Sequence, residues 1–195
     1  RVALHAGELT QALAPAADLA DHIRAAVEVA GAERIGHGVD VLGERDPAGL
    51  LALLAARGVT VEICLTSNAY ILEVAGAAHP LAAYLAAGVP VALATDDPGV
   101  SRSSMTGELV RAVTAQGLRY GQLKAMARAS VTAAFVPGAN LWRAPGQPGP
   151  ACAADLGPDA LARGPSAGCA ALLAASPRAR LQYALERQLA VFEAE

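Results

Sequence analysis

Four short strand-like runs that contain apolar residues, called apolar runs below, recur along the chain at nearly even intervals, and each is followed by a polar segment. The runs cover residues 2–4, 32–35, 59–65 and 89–94. The polar segments that follow them contain His5, His37, Thr66 and Asp96, which are 32, 29 and 30 residues apart. Because a strand-helix-strand unit occupies roughly 30 residues, this spacing predicts successive β-α units.

Amphipathic helical patterns fill the intervals between the apolar runs. Apolar residues recur at helical spacing in residues 16–30, 47–57 and 80–87. Each of these segments has a proline at its start and a glycine directly after its end, which is the usual asymmetry of helix boundaries. Strands that alternate with helices predict an α/β fold with a parallel sheet.

The alternation stops after residue 98. Two consecutive helices are predicted for residues 105–116 and 122–134, and a final outer helix for residues 177–195. The predicted organisation is a β-α domain over residues 1–142, a Pro/Gly-rich irregular segment over 143–176 and the helix over 177–195. Four β-α units are too few for a closed eight-stranded barrel, which needs about 250 residues. The chain therefore forms either a small open sheet or the second half of a barrel.

Composition and charge exclude several classes of protein. Of the 195 residues, 54% are hydrophobic, which is too many for a disordered chain. The net charge of −3 leaves no basic footprint, so we expect neither nucleic acid nor a membrane as partner. No apolar run approaches the roughly 18 residues that a membrane span requires.

Three cysteines lie far apart in the sequence. Cys64, Cys152 and Cys169 form no C-x-x-C pair, and so a structural zinc ribbon or a disulfide framework is not expected. Cys64 falls inside the third apolar run, where a free thiol acts as a small hydrophobic residue.

Histidines and carboxylates stand at the ends of the predicted strands. His5 and Glu8 follow the first strand, His37 lies between two glycines after the second, and Asp96 and Asp97 follow the fourth. In an α/β barrel the carboxyl ends of the strands face one shared mouth. A histidine, a proton-donating carboxyl group and a paired carboxylate in one mouth suggest metal-assisted hydrolysis. The G-x-G-x-x-G and G-x-x-x-x-G-K-[ST] phosphate-binding loops of other enzyme classes are absent.

Five motifs occur in the order seen in the adenosine deaminase family. They are His5-Ala6-Gly7-Glu8, Arg34-Ile35-Gly36-His37-Gly38, Glu62-Ile63-Cys64-Leu65-Thr66-Ser67-Asn68, His79-Pro80-Leu81 and Thr95-Asp96-Asp97-Pro98. The chain resembles the carboxyl-terminal half of such an enzyme over about residues 1–142. The resemblance implies a (β/α)8 TIM-barrel fold, of which this chain covers about the last four β-α units plus C-terminal helices.

The resemblance also implies a role for each motif residue. His5 and Asp96 would bind a zinc ion, and Asp96 would also contact the attacking water. Glu8 would protonate the purine ring, since a carboxyl group in a pocket with little water can have its pKa raised enough to donate a proton. His37 would orient or deprotonate the attacking hydroxide.

Two further residues are expected to bind substrate. By the resemblance, Asp97 would bond the imidazole-side nitrogen of the purine, and Gly7 would lie against the substrate. Without the family context the same residues have ordinary structural interpretations, such as an Asp-Asp-Pro turn for Asp96 and Asp97.

Other polar residues have weaker signals. Ser67 and Asn68 are interpreted as support for a loop and the ligand pocket, with turn chemistry an equal alternative. His79 precedes Pro80 at a helix start and is interpreted as structural. His22 lies in the middle of a predicted helix beside charged residues and is interpreted as a surface residue.

The chain departs from the family pattern at one point. Family members carry a His-x-His pair on their first strand, and this pair is absent here. His5 and Asp96 supply only two of the three protein ligands that a catalytic zinc usually has. We therefore expect the chain alone to bind zinc weakly and to deaminate nothing. An open half barrel exposes strand edges, so we expect it to pair with a missing amino-terminal half or to self-associate.

The sequence is compatible with several functional hypotheses. The first is zinc-dependent hydrolytic deamination of adenosine or 2'-deoxyadenosine, with a purine nucleoside as the small-molecule partner and a cytoplasmic location. Adenine deaminase and aminodeoxyfutalosine deaminase share the motifs and the reaction type. A catalytically inactive half barrel is the alternative from another class.

Overall fold

The computed structural model describes all residues from 1 to 195 and divides into two compact units, Arg1–Met126 and Ala127–Glu195. The division between the units lies inside a helix, whereas the sequence predicts that the β-α domain ends at residue 142. No helix combines the length and the apolar character needed to cross a membrane.

A four-stranded parallel sheet forms the centre of the first unit. Its strands are β1 (Ala3–Ala6), β2 (Arg34–His37), β3 (Thr60–Ile63) and β4 (Val91–Leu93), and they pair in chain order. Ala6 lies opposite His37, and Ile63 lies opposite Leu93, so the carboxyl ends of the strands share one edge of the sheet. The predicted parallel sheet of β-α units is confirmed.

Helices follow each strand of this unit. They are α1 (Ala16–Leu19), α2 (His22–Glu28), α3 (Pro47–Arg57), α4 (Leu65–Ile71), α5 (Leu81–Ala86), α6 (Pro98–Ser101), α7 (Met105–Thr114) and α8 (Tyr120–Ala133), the last of which continues into the second unit. A 3₁₀ turn over Val39–Gly43 follows β2.

The core of the first unit lies between the sheet and these helices. Its largest fully buried side chains include Ile35 and Ile63 from the strands, and Leu54, Leu81 and Tyr84 from the helices. Burying an aliphatic side chain of this size contributes about 1.5–3 kcal/mol.

The third predicted strand ends earlier than expected. β3 stops at Ile63, and Leu65 begins α4, so Thr66, Ser67 and Asn68 form the first turns of a helix. A continuous apolar run does not by itself distinguish a buried strand from a buried helix. Cys64 lies directly after the strand and is buried, and burial raises the pKa of its thiol to about 12.

The predicted helix over residues 16–30 is two short helices. Nδ1 of His22 lies 2.7 Å from the carbonyl oxygen of Leu19 and 3.4 Å from Oε1 of Glu44, which is buried. Glu44 accepts hydrogen bonds from the backbone N–H groups of Ile23 and Arg24 at the start of α2. The prediction that His22 is a surface residue is therefore wrong: it is half-buried against this carboxylate.

The second unit combines a short hairpin with three helices. It contains β5 (Trp142–Ala144), β6 (Gln147–Pro148), α9 (Pro158–Arg163), α10 (Ala167–Ala175) and α11 (Pro177–Glu193). The segment 143–176, predicted to be irregular, thus contains two helices. Leu141, Leu161 and Tyr183 form its core. Arg128 pairs with Glu186 through two hydrogen bonds of 2.8 and 2.6 Å.

A disulfide bond joins Cys152 and Cys169 in this core. The expectation of no disulfide is wrong. The two residues are 17 positions apart, and only the return of α10 towards the hairpin brings them together. A sequence criterion based on C-x-x-C spacing does not detect such a pair.

We predict that replacing both cysteines by serine lowers the free energy of unfolding of the second unit by about 3 kcal/mol, since the bond closes a short loop in the unfolded chain. Trp142 is the only tryptophan, so its fluorescence during urea unfolding reports on this unit. Cys64→Ser, which changes a free thiol in the first unit, is the control. An unchanged urea midpoint in the double variant contradicts the prediction.

His79 is buried before α5, where its Nδ1 accepts a hydrogen bond from the N–H of Leu81. Burial lowers the pKa of His79 to about 4 from the ordinary value near 6.5. Below pH 6.5 the unfolded chain takes up a proton that the folded chain takes up only near pH 4. The contribution of His79 to the free energy of unfolding is therefore greatest above pH 6.5, and it decreases as the pH falls from 6.5 towards 4.

We predict that urea unfolding of the first unit, followed by far-UV circular dichroism, shows this loss across that pH interval. His79→Gln should flatten the pH dependence, because glutamine has no proton to gain. Burial also lowers the pKa of His37, so His37 likewise lowers the free energy of unfolding as the pH falls. This contribution remains in the His79→Gln variant. An identical pH dependence in both proteins excludes His79 as a source of the effect.

Candidate functional site

The turn after β1 brings two strand ends into close approach. Gly7 has a φ of 77°, and a Cβ added to it would lie 2.6 Å from Cδ1 of Ile23 and 2.9 Å from Cα of Gly38. Only glycine fits this contact. The tight turn places Glu8 beside the end of β2, and the role of Gly7 in substrate binding stays a prediction.

Three of the predicted site residues form one cluster. Nε2 of His5 lies 2.6 Å from Oε2 of Glu8, within hydrogen-bond distance. The other carboxylate oxygen of Glu8 lies 3.9 Å from Nδ1 of His37. The two imidazole rings are 4.4 Å apart between centroids. The predicted convergence of these residues is seen in the structure.

Asp96 approaches the cluster from the end of β4. Its Oδ2 lies 4.0 Å from Nε2 of His37 and accepts a 2.6 Å hydrogen bond from the hydroxyl of Ser67. His37 therefore lies between two carboxylates, Glu8 on its Nδ1 side and Asp96 on its Nε2 side. Asp97 is exposed at the start of α6, outside this cluster, and its contact with substrate stays a prediction.

Two residues of the cluster have strained backbones. His37 has a φ of 72° and Asp96 a φ of 56°, both in the left-handed region that non-glycine residues rarely adopt. Holding a side chain there costs on the order of 1–3 kcal/mol, and such residues concentrate at functional sites. Both residues lie at the carboxyl edge of the sheet.

Burial controls the charge of His37. Its side chain is almost inaccessible, and this burial lowers its pKa, while the carboxylates of Glu8, Asp96 and Asp97 partly oppose the shift and His5 adds to it. At neutral pH His37 is therefore mainly uncharged, with one ring nitrogen able to donate a hydrogen bond and the other able to accept one.

Behind the cluster lie Asn68 and His79, which the sequence predicts to be supporting and structural residues, and Glu108, which the sequence does not single out. Nδ2 of Asn68 is 3.1 Å from Nδ1 of His37, and its Oδ1 is 3.1 Å from Nε2 of His79. Glu108 of α7 is fully buried and accepts a hydrogen bond from the N–H of Thr66. The T-S-N sequence after the third apolar run was a signal for the first group, but Glu108 had none.

A cavity of about 430 Å³ lies beside the site, between α4, α7 and the loop after β4. Thr66, Ser103 and Arg111 are among the residues that line it. None of the clustered residues, His5, Glu8, His37 or Asp96, lines the cavity. The cavity is therefore separate from the cluster.

The donor atoms of the cluster fit a zinc ion. One ligand atom each from His5, Glu8 and His37 lies within 4.8 Å of the others, and the carboxylate of Asp96 is beside His37. Imidazole nitrogens and carboxylate oxygens are the ligands that zinc takes in catalytic sites. Of these residues, His5 and Asp96 are the predicted ligands, whereas Glu8 and His37 have other predicted roles.

Comparisons with known proteins identify relatives of this chain. The Adenosine deaminase family model matches residues 1–141. The adenosine deaminase of Serratia proteamaculans is 38% identical over 137 residues, which are 70% of this chain and 38% of that protein. The adenosine deaminase of Escherichia coli O1:K1 is 39% identical over 124 residues, covering 63% of this chain and 34% of that protein.

Solved structures show the same likeness. The adenine deaminase of Arthrobacter aurescens has a TM-score of 0.57 and 27% identity, over 69% of this chain and 38% of that one. The N6-methyl-AMP deaminase of Arabidopsis thaliana has a TM-score of 0.54 and 31% identity, over 69% of this chain and 36% of that one. The predicted fold class, a partial α/β barrel of the TIM type, is confirmed.

This chain thus spans little more than a third of the length of the curated relatives that it matches. Over residues 1–141, however, the family model, the sequence identities and the fold all agree. The chain belongs to the adenosine deaminase family.

Proposed function

We propose that this chain supplies half of an active site for the zinc-dependent hydrolytic deamination of adenosine or 2'-deoxyadenosine, which releases ammonia and leaves inosine or its deoxy form. The observation that carries the proposal is the position of His37, which has Glu8 at 3.9 Å on one side and Asp96 at 4.0 Å on the other. His5 completes the group through its contact with Glu8.

His5 and Asp96 would hold the zinc ion, which when bound lowers the pKa of a water molecule towards about 7 and so supplies a nucleophile. Asp96 is prepared for this role by Ser67, whose hydroxyl donates to one of its carboxylate oxygens. The hydrogen bond fixes the rotamer of the carboxylate, as partners of metal ligands commonly do.

Glu8 is placed to transfer a proton to the substrate. Its carboxyl group lies between the two imidazoles, and about a fifth of its side chain is accessible. A general acid must come within hydrogen-bond distance of the atom that it protonates. In an adenine ring that atom is the nitrogen beside the carbon that carries the amino group.

His37 is placed to position the oxygen that attacks this carbon. It is buried and mainly neutral, its backbone is in the left-handed region, and its Nε2 lies 4.0 Å from the carboxylate of Asp96. An oxygen between His37 and Asp96 would contact both groups. This geometry favours precise orientation, which supplies a large share of the rate enhancement in hydrolytic enzymes.

The identity of the substrate is part of the proposal. Adenosine is favoured because relatives named adenosine deaminase match at 37–39% identity, above the 27% of the solved adenine deaminase. Adenine and aminodeoxyfutalosine are the alternative substrates. A half barrel without catalysis is the alternative from another class of protein.

The strand edges suggest how the site is completed. β1 and β4 each pair with one strand only, so each leaves an open edge. We propose that these edges receive the strands of an amino-terminal barrel half, with self-association of this chain as the alternative. A cytoplasmic location also stays a prediction, and the Cys152–Cys169 bond is more typical of oxidising compartments.

We predict that the chain alone binds zinc weakly, because it offers too few ligands, and that His5→Ala and Asp96→Ala each weaken binding at least about tenfold, or 1.4 kcal/mol. Competition with a chromogenic chelator measures the affinity. The matched control is His22→Ala, which removes a half-buried histidine remote from the cluster in the sequence. Absence of zinc at saturating concentration supports the inactive half barrel and contradicts the proposal.

We predict that adenosine turnover requires both barrel halves. The chain alone should be inactive, and adding the amino-terminal part of the Serratia proteamaculans relative should give zinc-dependent ammonia release. Glu8→Gln should reduce this release by about 10²–10⁴-fold, the usual contribution of a general acid, while zinc remains bound. Glu33→Gln, an exposed carboxylate paired with Arg1, is the control.

Adenosine, adenine and aminodeoxyfutalosine are compared as substrates in this assay. Chelator-sensitive deamination by the chain alone would refute the incomplete site. Unchanged activity in Glu8→Gln would remove Glu8 from its role as acid.

A further inference from the structure

Three buried polar side chains form a continuous line away from the cluster. His37, Asn68 and His79 are 3%, 0% and 2% exposed, and they come from the end of β2, from α4 and from the residue before Pro80. Successive polar atoms are 3.1 Å apart, and the line ends at the N–H of Leu81, also 3.1 Å from its acceptor.

The backbone sets the direction of the first hydrogen bond. The N–H of Leu81 can only donate, so Nδ1 of His79 must accept and carries no proton. A neutral imidazole has one proton, which in His79 is therefore on Nε2. Burial keeps His79 neutral, since it lowers the pKa to about 4.

The second and third hydrogen bonds follow from the first. Nε2–H of His79 donates to Oδ1 of Asn68, which turns the amide NH₂ group towards His37. The opposite amide orientation would require His79 to accept at both nitrogens, which a neutral imidazole cannot do. The NH₂ group of Asn68 thus donates to Nδ1 of His37, and the proton of His37 is on Nε2.

We propose that Asn68 and His79 are positioning residues that hold the proton of neutral His37 on Nε2, the nitrogen that faces Asp96. Asn68 is the hydrogen-bond partner of Nδ1 of His37, because its Nδ2 lies 3.1 Å from that nitrogen. The nearest carboxylate oxygen of Glu8 lies 3.9 Å from the same nitrogen, beyond hydrogen-bond distance. Under the proposed function, on which its chemical meaning rests, His37 starts the reaction as a hydrogen-bond donor that orients the attacking oxygen.

Nuclear magnetic resonance of the ¹⁵N-histidine-labelled chain tests this assignment without zinc or substrate. The chain has four histidines, so single histidine variants assign every signal. Long-range ¹H–¹⁵N correlations distinguish the two tautomers, because protonated and unprotonated ring nitrogens resonate far apart. At about pH 8 with a chelator present, where histidine is neutral, His37 and His79 should both carry the proton on Nε2.

Asn68→Asp is the decisive variant. The carboxylate has nearly the same shape but replaces the NH₂ donor by an oxygen acceptor, so the proton of His37 should move to Nδ1. Asn140→Asp is the matched control, because Asn140 is exposed and uses its oxygen to accept from Gln182. His79→Phe, which leaves Asn68 without its anchor, should replace the single tautomer of His37 by a mixture.

Three results overturn the proposal. They are an Nδ1 proton on His37 in the unmodified chain, an Nδ1 proton on His79 there, and an unchanged His37 pattern in folded Asn68→Asp. If Asn68→Asp does not fold, the spectrum of the unmodified chain still decides. Failure of the proposed deamination leaves these spectra unaffected, so the two proposals fail separately.

Discussion

In-register parallel pairing of four neighbouring strands is the constraint on which the site depends. It sets Ala6 opposite His37 and Ile63 opposite Leu93, so that the residues after each strand emerge at one edge of the sheet. A slip by one residue would turn every side chain of the shifted strand to the opposite face. The left-handed backbones of His37 and Asp96 then complete the alignment, at a local cost that the buried core offsets.

The sequence predicts the parts of this arrangement that depend on local pattern. Even spacing of apolar runs predicts the parallel sheet, and polar residues at the strand ends predict the meeting of His5, Glu8, His37 and Asp96. The pattern is weaker where one run serves two elements, as in residues 59–65, because a short apolar segment fits a strand or a buried helix equally.

Contacts between distant segments lie outside this kind of prediction. The line from His37 through Asn68 to His79, the cap that Glu44 provides for α2, and the Cys152–Cys169 bond all join residues whose spacing has no periodic signal. Each satisfies a buried polar group or joins two elements only after the helices have packed. Tertiary structure, and not local propensity, creates these partners.

The site is accessible on one side, because His5 is exposed and β1 and β4 each have an open edge. The same chain keeps its inner side closely packed, with Asn68 and His79 fully inside the fold. The chain is therefore closely packed behind the cluster and accessible at His5 and at the two strand edges.

A crystal structure of the 195-residue chain would test whether the site side chains converge. We expect the side chains of His5, Glu8, His37 and Asp96 to meet at one edge of the sheet, with the Asp96 carboxylate about 4 Å from Nε2 of His37. A structure in which His5 and Asp96 point to different regions of the molecule would contradict it.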